Sequence, residues 1–290
     1  HPANTDWTDV ADLTYEVPAQ REAMIDAMRY WVEDMDVDGF RCDVAGLVPS
    51  DFWRAAIEEL RTIKPIVMLA ENSAFTIHDA GFDWSYPWPE FEVHVDLFNG
   101  FTAREWIERI EQQLANLEDD ELRLRFTTNH DETAFKGTPL ELFGGVAGAE
   151  TAFVLVAALP GVPLLYNGQE VASEDNTSLF EKDPIDFDQN PEVRAFYRRF
   201  LEVRAESEAL LRGELSFPLP EERDVVILER ATDAERVVVI ANPRPRLRRV
   251  ALPAGLAGET FTDLMTGETV ELPEGELSLE RYAYFVLSPT

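Results

Sequence analysis

Short apolar runs of strand length alternate with stretches of helical period, and this alternation constrains the fold more than any other feature of the chain. Phe40 to Val44, Ile66 to Ala70, Phe82 to Tyr86, Leu124 to Thr128 and Val162 to Tyr166 read as buried strands. Between Gln20 and Met35, Ala23, Met24, Ala27, Met28, Trp31 and Met35 recur at helical spacing. Ser50 and Asp51 can cap a helix that runs to Arg61. Further helices are expected over Ala103–Leu117, Gly144–Leu159 and Pro191–Glu208. Strands joined through helices must run parallel, with both faces of the sheet covered. After Arg212 the texture changes to short alternating runs separated by Pro and Gly, as at Asp224–Leu228, Arg236–Ile240 and Tyr282–Leu287. That spacing indicates an antiparallel β sandwich. The expected division is therefore residues 1–212 as an α/β segment and 213–290 as an all-β domain.

Charge narrows the set of partners. The net charge is -31 and the pI about 4.3, which repels nucleic acid and anionic membrane. Three lysines, Lys64, Lys136 and Lys182, stand among 25 basic residues. Such depletion favours a surface tuned to high salt over an ordinary acidic one. The longest apolar stretch, Ala152 to Leu159, is far short of the roughly 20 residues of a membrane span. No basic start followed by an apolar core opens the chain, and its first residue is His, so it is expected to begin inside a longer product. Cys42 stands alone, which excludes an internal disulfide and leaves the redox compartment open.

Three acids follow buried strands: Asp43, Glu71 and Asp131. In a parallel α/β barrel the strand ends converge on one face, where active sites lie, so residues far apart in sequence meet. A carboxylate pair about 5 to 5.5 Å apart serves retaining glycoside hydrolysis, one acid as nucleophile and the other as acid and then base. Arg41 lies two positions before Asp43, on the same side of a strand. A guanidinium there favours the ionised carboxylate and fixes its orientation. Glu71 follows five apolar residues, a setting that raises a carboxyl pKa toward that of a working acid. His130, between Asn129 and Asp131, offers an N–H for a sugar hydroxyl. The bland alternatives are helix-capping acids and a core histidine; they fit each residue alone better than they fit the set.

These positions carry a resemblance. Gly39-Phe40-Arg41-Cys42-Asp43 resembles the nucleophile motif of the α-amylase family, glycoside hydrolase family 13. Ala70-Glu71 resembles its acid/base strand end, and Phe126 to Glu132 its fourth conserved region. Gly161 to Glu170 is similar to the segment on the last barrel strand. The resemblance implies a partial (β/α)8 TIM barrel, strands four to eight, followed by the β-sandwich domain. It implies Asp43 as nucleophile, Glu71 as acid/base and Asp131 as the group that binds sugar hydroxyls and stabilises the transition state. Arg41, Asn129 and His130 would complete the same sugar subsite. Phe82, Trp84, Tyr86, Trp88 and Phe91 cluster where a sugar-binding loop is expected; Trp84 and Trp88 are the stacking candidates, with Phe135 and Tyr166. Each of these rings would equally serve as packing.

The chain also departs from the family. Its first conserved region, which supplies an Asp and a His to the sugar and an Asn to a structural calcium, is absent. Gly46-Leu47 replaces the Lys-His pair of many α-amylases, and Asp12-Leu13-Thr14-Tyr15 carries Thr where Asn is frequent. The acidic stretch Glu174 to Asp188 lacks the spacing of a calcium loop. No cofactor is required by the sequence, and a structural calcium stays open but unsupported. Asn176-Thr177-Ser178 matches a glycosylation sequon, most simply by chance. The expectation is a fragment, or a chain whose missing strands come from a second chain. The function expected is retaining hydrolysis of α-1,4-glucans or malto-oligosaccharides. The alternatives are transglycosylation by the same residues and a non-catalytic carbohydrate-binding or assembly subunit.

Overall fold

The computed structural model describes Ala11 and residues 13–290; the reading made at Asp12 lies outside them. The chain divides into two compact units, one of residues through Tyr86 with Leu117–Leu122, the other of Pro87–Asn116 with Arg123–Thr290.

In the first unit Pro18 opens α1 (Pro18–Glu33), where a missing N–H costs nothing. The stripe that packs inward is Met24, Ile25, Met28 and Val32. Trp31 and Met35, expected on that stripe, are 51% and 47% exposed. The helix ends before Met35, and the chain turns at Asp36 with a positive φ. Then follow β1 (Gly39–Cys42), α2 (Ser50–Arg61), β2 (Val67–Ala70) and β3 (Trp84–Ser85). The expected Ser50–Asp51 cap is corrected: Pro49 occupies the cap position and no side chain caps α2. Asp51 instead accepts from Arg21 of α1 at 2.8 Å. The strands run parallel, with Gly39 opposite Val67 through Cys42 opposite Ala70, and Leu69 opposite Trp84. Phe52, Ile57, Leu60 and Met68 are buried beneath them.

In the second unit Trp88 and Phe91, expected in a sugar-binding loop, lie in the first turns of α3 (Trp88–Asn99). Next come α4 (Ala103–Leu114), β4 (Leu122–Arg125), α5 (His130–Phe135), α6 (Pro139–Phe143), α7 (Val146–Ala157), β5 (Val162–Pro163), α8 (Pro191–Glu206) and α9 (Glu208–Arg212). The expected single helix over Pro191–Glu208 is thus two, because Ser207 leaves helical geometry and caps α9 through Leu210 N–H. β4 and β5 pair in parallel, Leu124 opposite Val162. The five parallel strands are each shorter than predicted. α7 is apolar all round and nearly every residue from Gly148 to Ala157 is buried, which is what a helix enclosed on all sides requires.

The β region comprises β6 (Glu214–Ser216), β7 (Val226–Ala231), β8 (Arg236–Ala241), β9 (Arg248–Ala251), β10 (Thr260–Asp263), β11 (Thr269–Glu271), β12 (Glu276–Leu279) and β13 (Tyr284–Pro289). Six strands form one antiparallel sheet in the order β11-β10-β13-β8-β7-β6, and β12 pairs with β9. Ile227, Val238, Ile240, Phe261 and Leu287 pack from one face toward Val250 and Leu279 of the smaller sheet. The other face, with Val226, Leu228, Val239 and Val286, shares a core with Phe153, Tyr197 and Phe200 of the helices. The change of texture at Arg212 is therefore not a gap in packing. Buried arginines tie the same region together. Arg230 donates to Ala158 O at 2.7 Å and Gly213 O at 3.0 Å, and Arg204 to Gly161 O at 2.6 Å. Carbonyls at the end of α7 that would otherwise lie buried without donors are satisfied in this way.

Candidate active site

Two groups of the expected residues are assembled, one in each unit. In the first, Arg41 stands in β1 with Asp43 one residue beyond its end, and Glu71 stands one residue beyond β2. The register continues past the strands, since Glu71 N–H donates to Cys42 O at 3.0 Å. The two acids therefore leave adjacent parallel strands at the same level. Arg41 links them: it pairs with Asp43, and its Nη2 lies 3.0 Å from Glu71 Oε1. Its Nε donates to Tyr86 Oη at 3.4 Å, and the guanidinium lies 5.5 Å from the centre of the Tyr86 ring. Burial alone would lower the pKa of Arg41, but hydrogen bonds to Tyr86 and Asp43 and the charge of Glu71 outweigh it and hold the cation.

The two carboxyls differ in environment. The Asp43 side chain is 70% exposed and that of Glu71 12%. Burial pushes the Glu71 pKa up. The Val44 N–H and Arg41 oppose the shift, and Asp43 adds to it. Val44 N–H donates to Glu71 Oε2 at 2.7 Å. That bond depends on a strained backbone, because Val44, a β-branched residue, sits at φ 43°. Trp53 Nε1 holds the following turn by donating to Ala45 O at 2.9 Å. The adjacent Cys42 thiol is buried and its pKa is pushed up to about 12, so it stays protonated at neutral pH.

In the second unit Asn129 caps α5, and Asp131 lies in its first turn and not on a strand end. Asn129 Oδ1 accepts from Asp131 N–H at 2.9 Å and Glu132 N–H at 3.0 Å. At 1% exposure, Asn129 is placed to hold the turn that carries Asp131 through its Oδ1, and among the described residues its Nδ2 has no hydrogen-bond partner. His130 Nε2 lies 3.3 Å from Asp131 Oδ2, and both side chains are about one-third exposed. Asn129→Ala is expected to cost about 1 kcal/mol of stability and to loosen Asp131; urea unfolding with a binding assay measures both. Among the aromatics, Phe82, Tyr86 and Phe91 are buried and pack inside the protein. Trp88 packs edge-on against Phe126 at 5.6 Å. Trp84 is half-buried in β3. Tyr166 Oη lies 3.4 Å from Thr177 Oγ1, and Phe135, at the end of α5, is 76% exposed.

Three participants carried no readable role. Tyr86 was legible only as an aromatic, yet it braces Arg41. The Val44 N–H is a backbone donor that no residue type announces. Gln169 is buried and donates to Thr127 Oγ1 at 2.8 Å and Tyr197 Oη at 3.1 Å, while its Oε1 accepts from Tyr166 N–H at 3.3 Å. A buried polar hub of this kind shows in sequence only as one letter of a motif. Among the described residues no three Asp, Glu, His or Cys side chains are placed to hold an ion, and no step below runs through a metal.

Comparison with known proteins gives the family and fold that the chain is similar to. The α-amylase catalytic-domain family profile matches residues 4–68, a span that includes Asp43. An α-amylase, MalA, of Haloarcula japonica is 29% identical over 274 residues, covering 91% of this chain and 39% of its own length. A maltogenic α-amylase of Bacillus acidopullulyticus is 26% identical, covering 90% and 46%. The chain thus spans less than half the length of these relatives. Among solved structures, a noncanonic maltogenic α-amylase, AmyB, of Thermotoga neapolitana is similar with a TM-score of 0.84 at 25% identity, covering 98% of this chain and 69% of that one. An α-amylase of Lactobacillus plantarum shares the fold at a TM-score of 0.83 and 24% identity, covering 98% and 69%. The fold is that of strands four to eight of an α-amylase barrel with the β-rich domain that follows them.

Proposed function

We propose that this chain, similar in motifs and fold to the α-amylase family, is the part of a retaining α-glucan hydrolase that carries its nucleophile and its acid/base. Residues 1–212 form the barrel segment and 213–290 the β domain. The observation that carries the reading is Arg41, which bridges Asp43 and Glu71 at the ends of adjacent parallel strands. Asp43 attacks the anomeric carbon of an α-1,4 bond while Glu71 gives its proton to the leaving oxygen. Water then resolves the glycosyl-enzyme, with Glu71 as base. Asp131 and His130 bind hydroxyls of the reacting sugar, and Phe135, Tyr166, Trp84 and Trp88 supply apolar faces to neighbouring sugars. A second sugar in place of water gives transglycosylation through the same intermediate. The surface is tuned to high salt, a reading supported by the scarcity of lysine.

The test is reducing-sugar release from soluble starch, in low and molar salt, by the chain and by Glu71→Gln. Turnover is expected to fall about 10²–10⁴-fold in the variant. In the parent, the alkaline limb of the pH profile should follow ionisation of Glu71, displaced upward by its burial. Because the folded pKa is raised, the stability Glu71 contributes is full below the unfolded value and is lost as pH rises through the folded one. A neutral Gln should therefore hold or raise the denaturation midpoint at pH 7 while activity is lost. Equal activity in the two proteins would refute the assignment. The competing reading, a glucan-binding or assembly polypeptide without turnover, rests on exposed rings such as Phe135 and predicts no release at any salt.

A further inference from the structure

The chain has 25 lysines and arginines against 56 aspartates and glutamates, so a cavity with four arginines and one acid in its lining runs against the charge of the whole molecule. One lies in the second unit. It has a volume of about 620 Å³ and is lined by Arg223, Arg244, Arg246 and Arg248 together with Asp224 and Phe98. That volume falls in the roughly 300–1,000 Å³ range of small-molecule sites.

The four arginines are used differently. Arg244 is buried and engaged by protein: it donates to Leu97 O, to Phe101 O at 2.7 Å, to Arg223 O at 2.9 Å and to Asp224 Oδ1 at 3.2 Å. Arg248 pairs with the other Asp224 oxygen, its Nε 2.9 Å away. One carboxylate thus serves two guanidinium groups. Arg223 and Arg246 are exposed, and among the described residues their guanidinium groups have neither hydrogen bond nor ion pair. Glu105 is the other carboxylate that feels Arg223 and Arg244, but it is engaged in capping α4, where it accepts from Thr102 N–H at 2.8 Å.

The loop that carries these groups is held in place. Asn242 Nδ2 donates to Arg246 O at 2.9 Å and Glu280 O at 2.8 Å, and its Oδ1 accepts from Arg244 N–H at 3.0 Å. Burial lowers the Arg244 pKa, Asp224 raises it, and Arg248 and Arg246 lower it again, so the like charges are close enough to repel. A fixed loop that gathers like charges around a cavity is preorganised for an anion and gains when one binds. Guanidinium forks match phosphate oxygens bidentately.

We propose that this cavity binds a phosphate group, held by Arg223 and Arg246 with Arg248 beside them. Inorganic phosphate and a phosphate monoester on a sugar share this chemistry. The site stands apart from the catalytic reading and does not depend on it.

The test is calorimetric titration of the full chain, in the lowest salt that keeps it folded, with inorganic phosphate, glucose 6-phosphate and maltose. A phosphate-bearing ligand is expected to bind one per chain. The double variant Arg223→Ala/Arg246→Ala should weaken it at least tenfold. Arg249→Ala, which removes an exposed arginine of β9 outside the cavity, should leave it unchanged. Both substituted side chains are exposed, and circular dichroism of the double variant checks that it folds. Tighter binding of glucose 6-phosphate assigns the site to a sugar phosphate, and equal binding assigns it to free phosphate. The proposal is overturned if neither phosphate binds, if maltose binds as tightly as either, or if Arg249→Ala weakens binding as much as the double variant.

Discussion

Asp43→Asn should lower starch hydrolysis by about 10⁴-fold or more, the scale seen when a group that acts only in the reaction is removed, with little change in stability. The stability half follows from exposure. The Asp43 side chain is 70% exposed, and its ion pair with Arg41 is formed largely in water, where such pairs contribute at most about 1 kcal/mol. The activity half follows from chemistry: an amide does not form the glycosyl ester that splits the displacement into two steps. Arg41 holds both carboxyls and cannot substitute for either. The measurements are the rate of reducing-sugar release, the urea midpoint, and the anomeric form of the first product by proton NMR. Retained α configuration in the parent together with a dead, folded variant is the expected combination. A variant with more than a tenth of the parent rate, or a parent that releases the inverted sugar, would remove Asp43 from the role.

The difference between the two acids was readable before the structure, and its cause was only partly readable. Five apolar residues before Glu71 announced burial, and the structure bears out a raised pKa. What opposes that shift is the Val44 N–H, turned inward by a left-handed backbone that no propensity of valine would suggest. The order of strands was legible because each apolar run is bounded by breakers. The helix α3 was not, because its start lies in the aromatic cluster expected as a sugar-binding loop. Pro89 in fact sits in the first turn, where its missing N–H has no intrahelical partner to lose. The same blindness applied to Asn129. A residue next to an acid in a motif reads as a ligand contact, and nothing in the sequence shows that its side-chain oxygen also fixes the turn that presents the acid.

Gly39→Ala should be the most damaging single change in the first unit, and the reason is packing. Gly39 adopts φ 147°, and a Cβ built there would lie 1.8 Å from Val67 O and 2.7 Å from Val67 C. Both atoms are backbone of β2, so no side chain can swing away. Val67 is also committed, since its N–H donates to Asp38 O at 2.8 Å. An alanine would force β1 off β2 at the first pair of a register that runs to Cys42 and Ala70. The Glu71 N–H bond to Cys42 O, which levels the two acids, depends on that register. A cost of about 3 kcal/mol or more is expected, strain and overpacking together, with loss of hydrolysis even in the fraction that stays folded. Gly100 provides the control. Its φ is 139°, yet nothing lies within 4 Å of a Cβ built there, so Gly100→Ala carries the backbone strain without the collision. Urea unfolding of the two variants separates the terms. If Gly39→Ala costs no more than Gly100→Ala, the contact with Val67 is not what requires glycine. If it costs clearly more, the glycine that opens the nucleophile motif is there because two parallel strands must approach closely enough to set Asp43 beside Glu71.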